Sequence, residues 1–415
     1  MRLCIRRALR RILLSTAAGA VGILSVACSV SPDSPSLVEN SQALNSSADI
    51  AFQANTTSLW FQNAPQNLGM QAGTNPAVAA LVGGGQEIAF QANTGNLWVT
   101  GSLETRDLGL GMAANTSPAI GGLAGGGYEV AFQANTTALW IAGSVGTQSL
   151  GLGMMPGTSP SITALAAGGY QIAFQANTGN LWVTGTLGTI DLGLGMRAGT
   201  SPSIVALPGG GYEVAFQANT TSLWVAGTLE TRDLGLGMMP GTSPSIAADP
   251  NGGYEIAFQA NTGKLWLAGS RVTADLDSAM AQGTSPSITP LSRDPSGRIV
   301  VAFQNADTRL STATFVPASA RSSAHSYSTS LGLGMAAGTS PAVLGNPVLG
   351  KWVLGSDTGT PNGTCYSPGS GFPNACGDLN ATCTNRDAGC YVGLEGSCST
   401  SLGSGFKRLQ LYRCQ

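Results

Sequence analysis

Seven copies of one tripeptide, Ala-Phe-Gln, run through this 415-residue chain, with phenylalanines at Phe52, Phe90, Phe132, Phe174, Phe216, Phe258 and Phe303. Successive copies lie 38, 42, 42, 42, 42 and 45 residues apart. A period near 40 residues belongs to solenoids and propellers, where each unit buries its apolar face only against its neighbours. Length alone would divide the chain into two or three domains, but stacked units can form one body.

The repeat from Thr200 to Gly241 shows the grammar. A short strand over Ser201–Leu207 meets a turn at Pro208-Gly209-Gly210-Gly211. A second strand covers Tyr212–Gln217. The connection Ala218-Asn219-Thr220-Thr221 reads Ala-Asn-Thr-Gly in other copies and favours a hairpin with a residue at positive φ. Ser222–Ala226 is a third strand, and Thr231–Leu236 supplies a fourth. Four short strands in about 42 residues make a propeller blade. No helical periodicity is present, which argues against helical repeats of similar length.

The two ends of the array differ in a complementary way. The first copy begins at Asp49 in the second strand, with no Ser-Pro strand before it. The last Ser-Pro strand, Thr339-Ser340-Pro341-Ala342-Val343, has no Phe-Gln strand after it. Pairing them completes a blade and removes the exposed sheet edges. The sequence therefore predicts an all-β, seven-bladed propeller with four-stranded blades over 49–346, closed by its N- and C-terminal strands. Blade seven is degenerate, with Ser311 where tryptophan is expected and an insertion over Pro317–Ser328 that holds the only histidine, His325.

Flanking segments point to export. Arg2, Arg6, Arg7, Arg10 and Arg11 precede an apolar run from Ile12 to Leu24, then Ser25-Val26-Ala27-Cys28. Small residues at Ser25 and Ala27 suit signal-peptidase cleavage, so residues 1–28 are expected to be a signal peptide. Leu24–Cys28 also resembles a bacterial lipobox, which would lipidate Cys28 and tether the protein to a membrane, with Ser25 where leucine is usual. The apolar run is shorter than the ~20 residues a membrane span needs. Twin arginines before Ile12-Leu13-Leu14 hint at export in the folded state. A Ser-, Pro- and Asn-rich linker occupies 29–48. Cys365, Cys376, Cys383, Cys390, Cys398 and Cys414 all fall in a C-terminal cysteine-rich module over 347–415 and read as three disulfides of open connectivity. No Cys-x-x-Cys pair or nearby histidine favours zinc. Charged residues make up only 10% and the net charge is −2, so nucleic acid has little electrostatic hold on this chain.

The blade resembles that of bacterial seven-bladed propeller lectins of the Photorhabdus-lectin type and, more loosely, tectonin-like propellers. The resemblance rests on Leu108-Gly109 through Ile120, Val130-Ala131-Phe132, Asn135-Thr136 and Leu139-Trp140. It covers roughly Asp49–Val343. It implies carbohydrate binding without catalysis. The chain departs from the pattern in having Ala-Phe-Gln where those lectins often carry a charged or larger residue, so the resemblance does not carry the family's sugar preference over to it.

The residues themselves offer several candidates. Strand alternation brings the second-to-third hairpins and the fourth-to-first connections to one face, and these are the more uniform loops, as expected of equivalent sites. Trp60, Trp98, Trp140, Trp182, Trp224 and Trp266 follow the hairpins. An indole can stack on a sugar C–H face, and it can equally fill the space between blades, which is the stronger reading. Gln53, Gln91, Gln133, Gln175, Gln217, Gln259 and Gln304 need amide partners and either brace the neighbouring hairpin, the favoured reading, or bind sugar hydroxyls. Asn93, Asn135, Asn177, Asn219 and Asn261 are hairpin residues first, with ligand contact as a second role. Glu87, Glu129, Glu213 and Glu255 recur round the ring, with Gln171 replacing them in blade four. A catalytic carboxylate pair is unique, so these are expected to be structural, solvated charges. His325 reads as an ordinary loop residue, and no hydrolase triad or repeated sialidase box accompanies it.

These observations predict an exported, multivalent, lectin-like propeller that recognises surface glycans or glycoproteins, with no catalytic residues, cofactor or metal. The alternative is a cell-surface protein-interaction scaffold, which would use the non-equivalent blade seven and the cysteine-rich module.

Overall fold

A computed structural model of the chain describes residues 49–249, 252–290, 298–318 and 323–344, together with the backbone of strands Trp352–Gly355, Leu394–Leu402 and Gly405–Arg413. The signal, Cys28, the linker and the disulfide assignments lie outside the described residues or side chains. The last three strands pair antiparallel with Gly405–Arg413 in the middle.

Seven four-stranded antiparallel sheets form a seven-bladed propeller. In blade five the order from the inside is Ser203–Ala206, Tyr212–Gln217, Ser222–Gly227 and Thr231–Gly237. The inner strand is shorter than its sequence pattern, because Ser201 and Pro202 run into the loop that joins blades. The second strand is covered on both sides, so its residues read as a near-continuous apolar run; the outer strand is mostly exposed.

Blade one closes as expected. Ala342–Val343 supplies its inner strand, pairing Ile50 with Val343 and Ala51 with Ala342. A hydrogen-bond ring confirms the count of seven. The backbone N–H of Asn75, Ser117, Ser159, Ser201, Ser243 and Ser285 each donates to the serine Oγ of the next blade at 2.9–3.0 Å. Ser340 completes the circuit by donating to Asn75 Oδ1 at 2.7 Å.

Packing explains the Ala-Phe couplet. Alanine and phenylalanine, as neighbours on a strand, face opposite sides of the sheet. Each phenylalanine packs against the alanine of the preceding blade: Phe90 with Ala51, Phe174 with Ala131, Phe216 with Ala173, and finally Phe52 with Ala302. A large side chain thus fills the space left by a small one at every joint, and the last joint meets the first.

The second-to-third hairpins carry their positive φ on the fourth residue. Glycine fills it at Gly95, Gly179 and Gly263, but threonine does so at Thr57, Thr137, Thr221 and Thr308, with φ from 59° to 70°. A β-branched residue is strained there. Thr137→Gly and Thr221→Gly are each expected to stabilise the protein by about 0.5–1 kcal/mol, the relief of strain less the entropy of a freer unfolded chain. Thermal melting checks this, and an unchanged or lower Tm contradicts it.

The repeated glutamates overturn the expectation of solvated charge. Glu87, Glu129, Glu213 and Glu255 are 0–1% exposed. Each accepts a backbone N–H from the third-to-fourth turn of its own blade, from Leu103, Val145, Leu229 and Arg271 at 2.7–3.0 Å. They are structural, as expected, because they hold that turn, but they do so from inside the protein. Gln171 does the same work with an amide, accepting from Leu187 at 3.0 Å and donating to Gly188 O at 3.2 Å. His325 is exposed and starts a strand, His325–Gly334, so part of the blade-seven insertion extends an outer hairpin.

Candidate functional site

The fold brings six equivalent crevices to one face, each at the joint between an outer strand and the next blade. Between blades two and three, Leu108 and Leu110 of the outer strand pack with Trp140 of the next blade. Beside Leu110, Gly111 lies under the Asn135 side chain: a Cβ at Gly111 would stand 2.8 Å from Asn135 Nδ2. The glycine is what allows the asparagine to lie across the joint. The same set recurs as Leu152-Gly153 with Asn177 and Trp182, Leu194-Gly195 with Asn219 and Trp224, and Leu236-Gly237 with Asn261 and Trp266. Leu68-Gly69 with Asn93 and Trp98, and Leu333-Gly334 with Asn55 and Trp60, complete the six.

All six tryptophans are half-buried, and all six asparagines are exposed. The indole stands between the two sequence readings, because it packs in the joint and still reaches solvent. Trp60, Trp98, Trp140, Trp182 and Trp224 also sit 5.9–6.4 Å from the phenylalanine of the adjoining strand, ring centre to ring centre. The Nε1 atoms of Trp98, Trp182, Trp224 and Trp266 are enclosed, so what these indoles present to solvent is hydrocarbon.

The glutamines lie deeper. All seven are 0–1% exposed. Gln133 shows the arrangement: its backbone carbonyl accepts from Ala113 at 2.9 Å, while its amide donates to Met155 O at 2.9 Å and accepts from Gly157 at 3.2 Å. One residue thereby ties two successive inter-blade connections. Gln304 and Gln53 repeat this across the ring closure through Ala336, Gly338, Gln71 and Gly73. This bracing explains why the glutamine survives in the divergent end blades. Gln91, Gln175, Gln217 and Gln259 likewise spend their amide nitrogens on loop carbonyls.

The sequence reading missed three groups. Asn55 belongs with the other asparagines, but it lies in the incomplete first copy. The outer-strand leucines and glycines come from the preceding blade, which no single repeat shows. Asp107, Asp191, Asp233 and Asp275 stand in register beside Trp98, Trp182, Trp224 and Trp266, exposed on the same side of the sheet. A bulge between the third and outer strands sets that register, and sequence spacing does not reveal it. The seventh joint departs: Ser311 stands buried where the other blades carry the indole, and Leu276 of the preceding outer strand is only 4% exposed.

Burial pushes the Glu129, Glu213 and Glu255 carboxyls up to about 7, against the lowering effect of the turn N–H groups they accept; Glu87 is raised for the same reason. The folded state therefore holds these protons more tightly than the unfolded chain. Their contribution to stability is full below about pH 4.5 and is lost as pH rises to about 7. Tm is expected to fall by several degrees across that window and then level off. The triple variant Glu129→Gln, Glu213→Gln, Glu255→Gln, which copies the natural amide at Gln171, should flatten the profile. A wild-type Tm that rises between those pH values contradicts the assignment.

No family model matches the chain, and no curated protein matches it. Solved structures do resemble it. Aleuria aurantia lectin in complex with Fucalpha1-6GlcNAc is 12% identical, with a TM-score of 0.43 over 63% of this chain and 95% of that one. AofleA from Arthrobotrys oligospora is 12% identical, with a TM-score of 0.46 over 66% and 91%. BBS1N in complex with ARL6DN, not described as a lectin, reaches 10% and 0.42 over 67% and 90%. The Aleuria lectin is a six-bladed propeller with a fucose recognition mode, whereas this chain has seven blades. Among the described residues, no cluster of three or more His, Cys, Asp or Glu is placed to hold a metal ion.

Proposed function

We propose that the protein is an exported, multivalent carbohydrate-binding propeller, similar in kind to the Photorhabdus-lectin type, that binds surface glycans through its inter-blade crevices. The observation that carries this reading is the recurrence of one constellation at six joints: indole hydrocarbon, a flanking leucine and an exposed asparagine amide. A pyranose has an apolar C–H face and a polar rim, which these groups match in kind. The Asp107, Asp191, Asp233 and Asp275 carboxylates add acceptors beside four of the indoles. The buried glutamines position the loops and make no sugar contact. Binding without chemistry is the whole of this activity.

A single shallow crevice would hold a monosaccharide at about millimolar strength, near −4 kcal/mol. Several crevices on one face raise avidity for a dense glycan surface by roughly 10²–10⁴. The test is a glycan array followed by competition with free monosaccharides, with α-methyl fucoside among them. Binding to glycosylated surfaces that free sugar competes away is expected; failure of every sugar to compete rejects the reading. The hairpin of Arg309–Val316 and His325–Gly334 is longer than the outer hairpins of the other six blades, and it favours a second reading as a protein-binding scaffold. Shortening that hairpin should leave glycan capture intact if the crevices carry function, and abolish partner capture if the hairpin does.

A further inference from the structure

The two faces of the propeller differ in one respect that glycan binding does not use. All the large apolar side chains exposed among the described residues lie toward the face opposite the crevices. Leu103, Val145, Leu187 and Leu229 occupy the same position on the third-to-fourth turns of four successive blades and are 54–58% exposed. Val82 and Ile190 lie in or next to turns on that side, and Tyr327 lies on the hairpin extension of blade seven. The second-to-third hairpins and fourth-to-first connections expose none.

These tips are held in place. The backbone N–H of Leu103, Val145 and Leu229 is bound by Glu87, Glu129 and Glu213, and that of Leu187 by Gln171. A buried anchor fixes each turn with its apolar side chain outward. Among the described residues of this face several charges are paired: Glu104 with Arg106, Glu230 with Arg232, and Arg271 with Asp249 and Glu255. A rigid, apolar-tipped and locally neutral face suits an uncharged hydrocarbon interface better than a polyanion or a basic partner.

Chain connectivity selects among apolar occupants. Both ends of the propeller leave from this face, where Leu344 donates its backbone N–H to Asp49 O at 2.8 Å. Upstream of Asp49 the sequence runs through the Ser-, Pro- and Asn-rich linker to Cys28, the residue that a lipobox would lipidate once the preceding apolar run is cleaved. Twenty linker residues span at most about 70 Å. The propeller begins at Asp49 on the apolar-tipped side, so a lipid carried on Cys28 would pull on the body from that side, and the crevices open on the other.

We propose that the face bearing Leu103, Val145, Leu187 and Leu229 lies against a lipid bilayer surface, inserting these tips at the headgroup–acyl boundary and turning the opposite face outward. This does not depend on sugar being the ligand. The experiment is carbene footprinting of the full chain with and without neutral phosphatidylcholine vesicles. Labelling of the four tips is expected to fall by at least about threefold on vesicles, as for side chains moved out of water, while the hairpins at Asn135, Asn177 and Asn219 label as before. The quadruple variant L103S/V145S/L187S/L229S should keep its melting temperature and show no vesicle-dependent contrast at these turns. Unchanged tip labelling on vesicles, failure of the chain to bind vesicles, or protection of the Asn hairpins instead would each overturn the proposal. Tips already protected without vesicles would also overturn it, assigning the face to a second copy or to the cysteine-rich module.

Discussion

A chain ended at Gly338 is expected to lose the cooperative unfolding that a chain ended at Leu344 retains. The two differ by six residues and both lack the cysteine-rich module, so the comparison isolates the closing strand. Those residues hold the pairs Ile50–Val343 and Ala51–Ala342, two links of the serine ring at Ser340, the bond from Val343 to Ser287 Oγ at 3.0 Å, and the bond from Leu344 to Asp49. They also bury Val343 and Leu344 at 8% and 7% exposure. At about 1 kcal/mol per hydrogen bond and 1.5–3 kcal/mol per buried aliphatic side chain, the loss is on the order of 5–10 kcal/mol. That equals the net stability of many domains. The strand Ile50–Gln53 would become a free edge, so self-association should accompany the loss. Calorimetry and light scattering read both effects. Equal, sharp transitions for the two chains would show that closure does not hold the ring.

The second large effect concerns binding. The triple variant Asn135→Ala, Asn177→Ala, Asn219→Ala is expected to weaken attachment to a dense glycan surface by about 10²-fold, because three adjacent crevices lose their polar group and avidity depends on simultaneous engagement. Monovalent affinity at the remaining crevices should stay the same. These side chains are exposed, so Tm should move little. Surface plasmon resonance on glycan-coated and sparsely coated chips separates the two quantities. Undiminished attachment would remove the asparagines from the site. Equal loss in the L103S/V145S/L187S/L229S variant would place the glycan surface on the opposite face.

Much of the architecture was legible because blades are local. Strand, turn and hairpin follow from a 42-residue period, with glycine turns and Ala-Asn-Thr-Gly signals inside it, and the mismatch between Asp49 and Thr339–Val343 implied closure. The glutamine braces were legible in part, since a polar residue kept in every copy of an apolar strand needs partners. The glutamates were misread because Glu87, Glu129, Glu213 and Glu255 stand at strand starts, where charge is usually solvated; only the third-to-fourth turn folding over them shows their burial. The crevices were half legible: the indoles and most asparagines stood out, while the leucines and Gly111-type contacts belong to the neighbouring blade.

The sequence by itself determined the blade, its number of copies and the need for the two ends to meet, because each rests on periodicity and on hydrogen bonding between consecutive strands. Tertiary structure alone decided what lies between blades and how the two faces differ. Contacts between blades join residues about a full repeat apart, and their geometry depends on the twist of each sheet and on the bulge before its outer strand. The Ala-Phe-Gln repeat spans that division: its spacing is a property of the chain, and the fit of each phenylalanine against the preceding blade's alanine is a property of the closed ring.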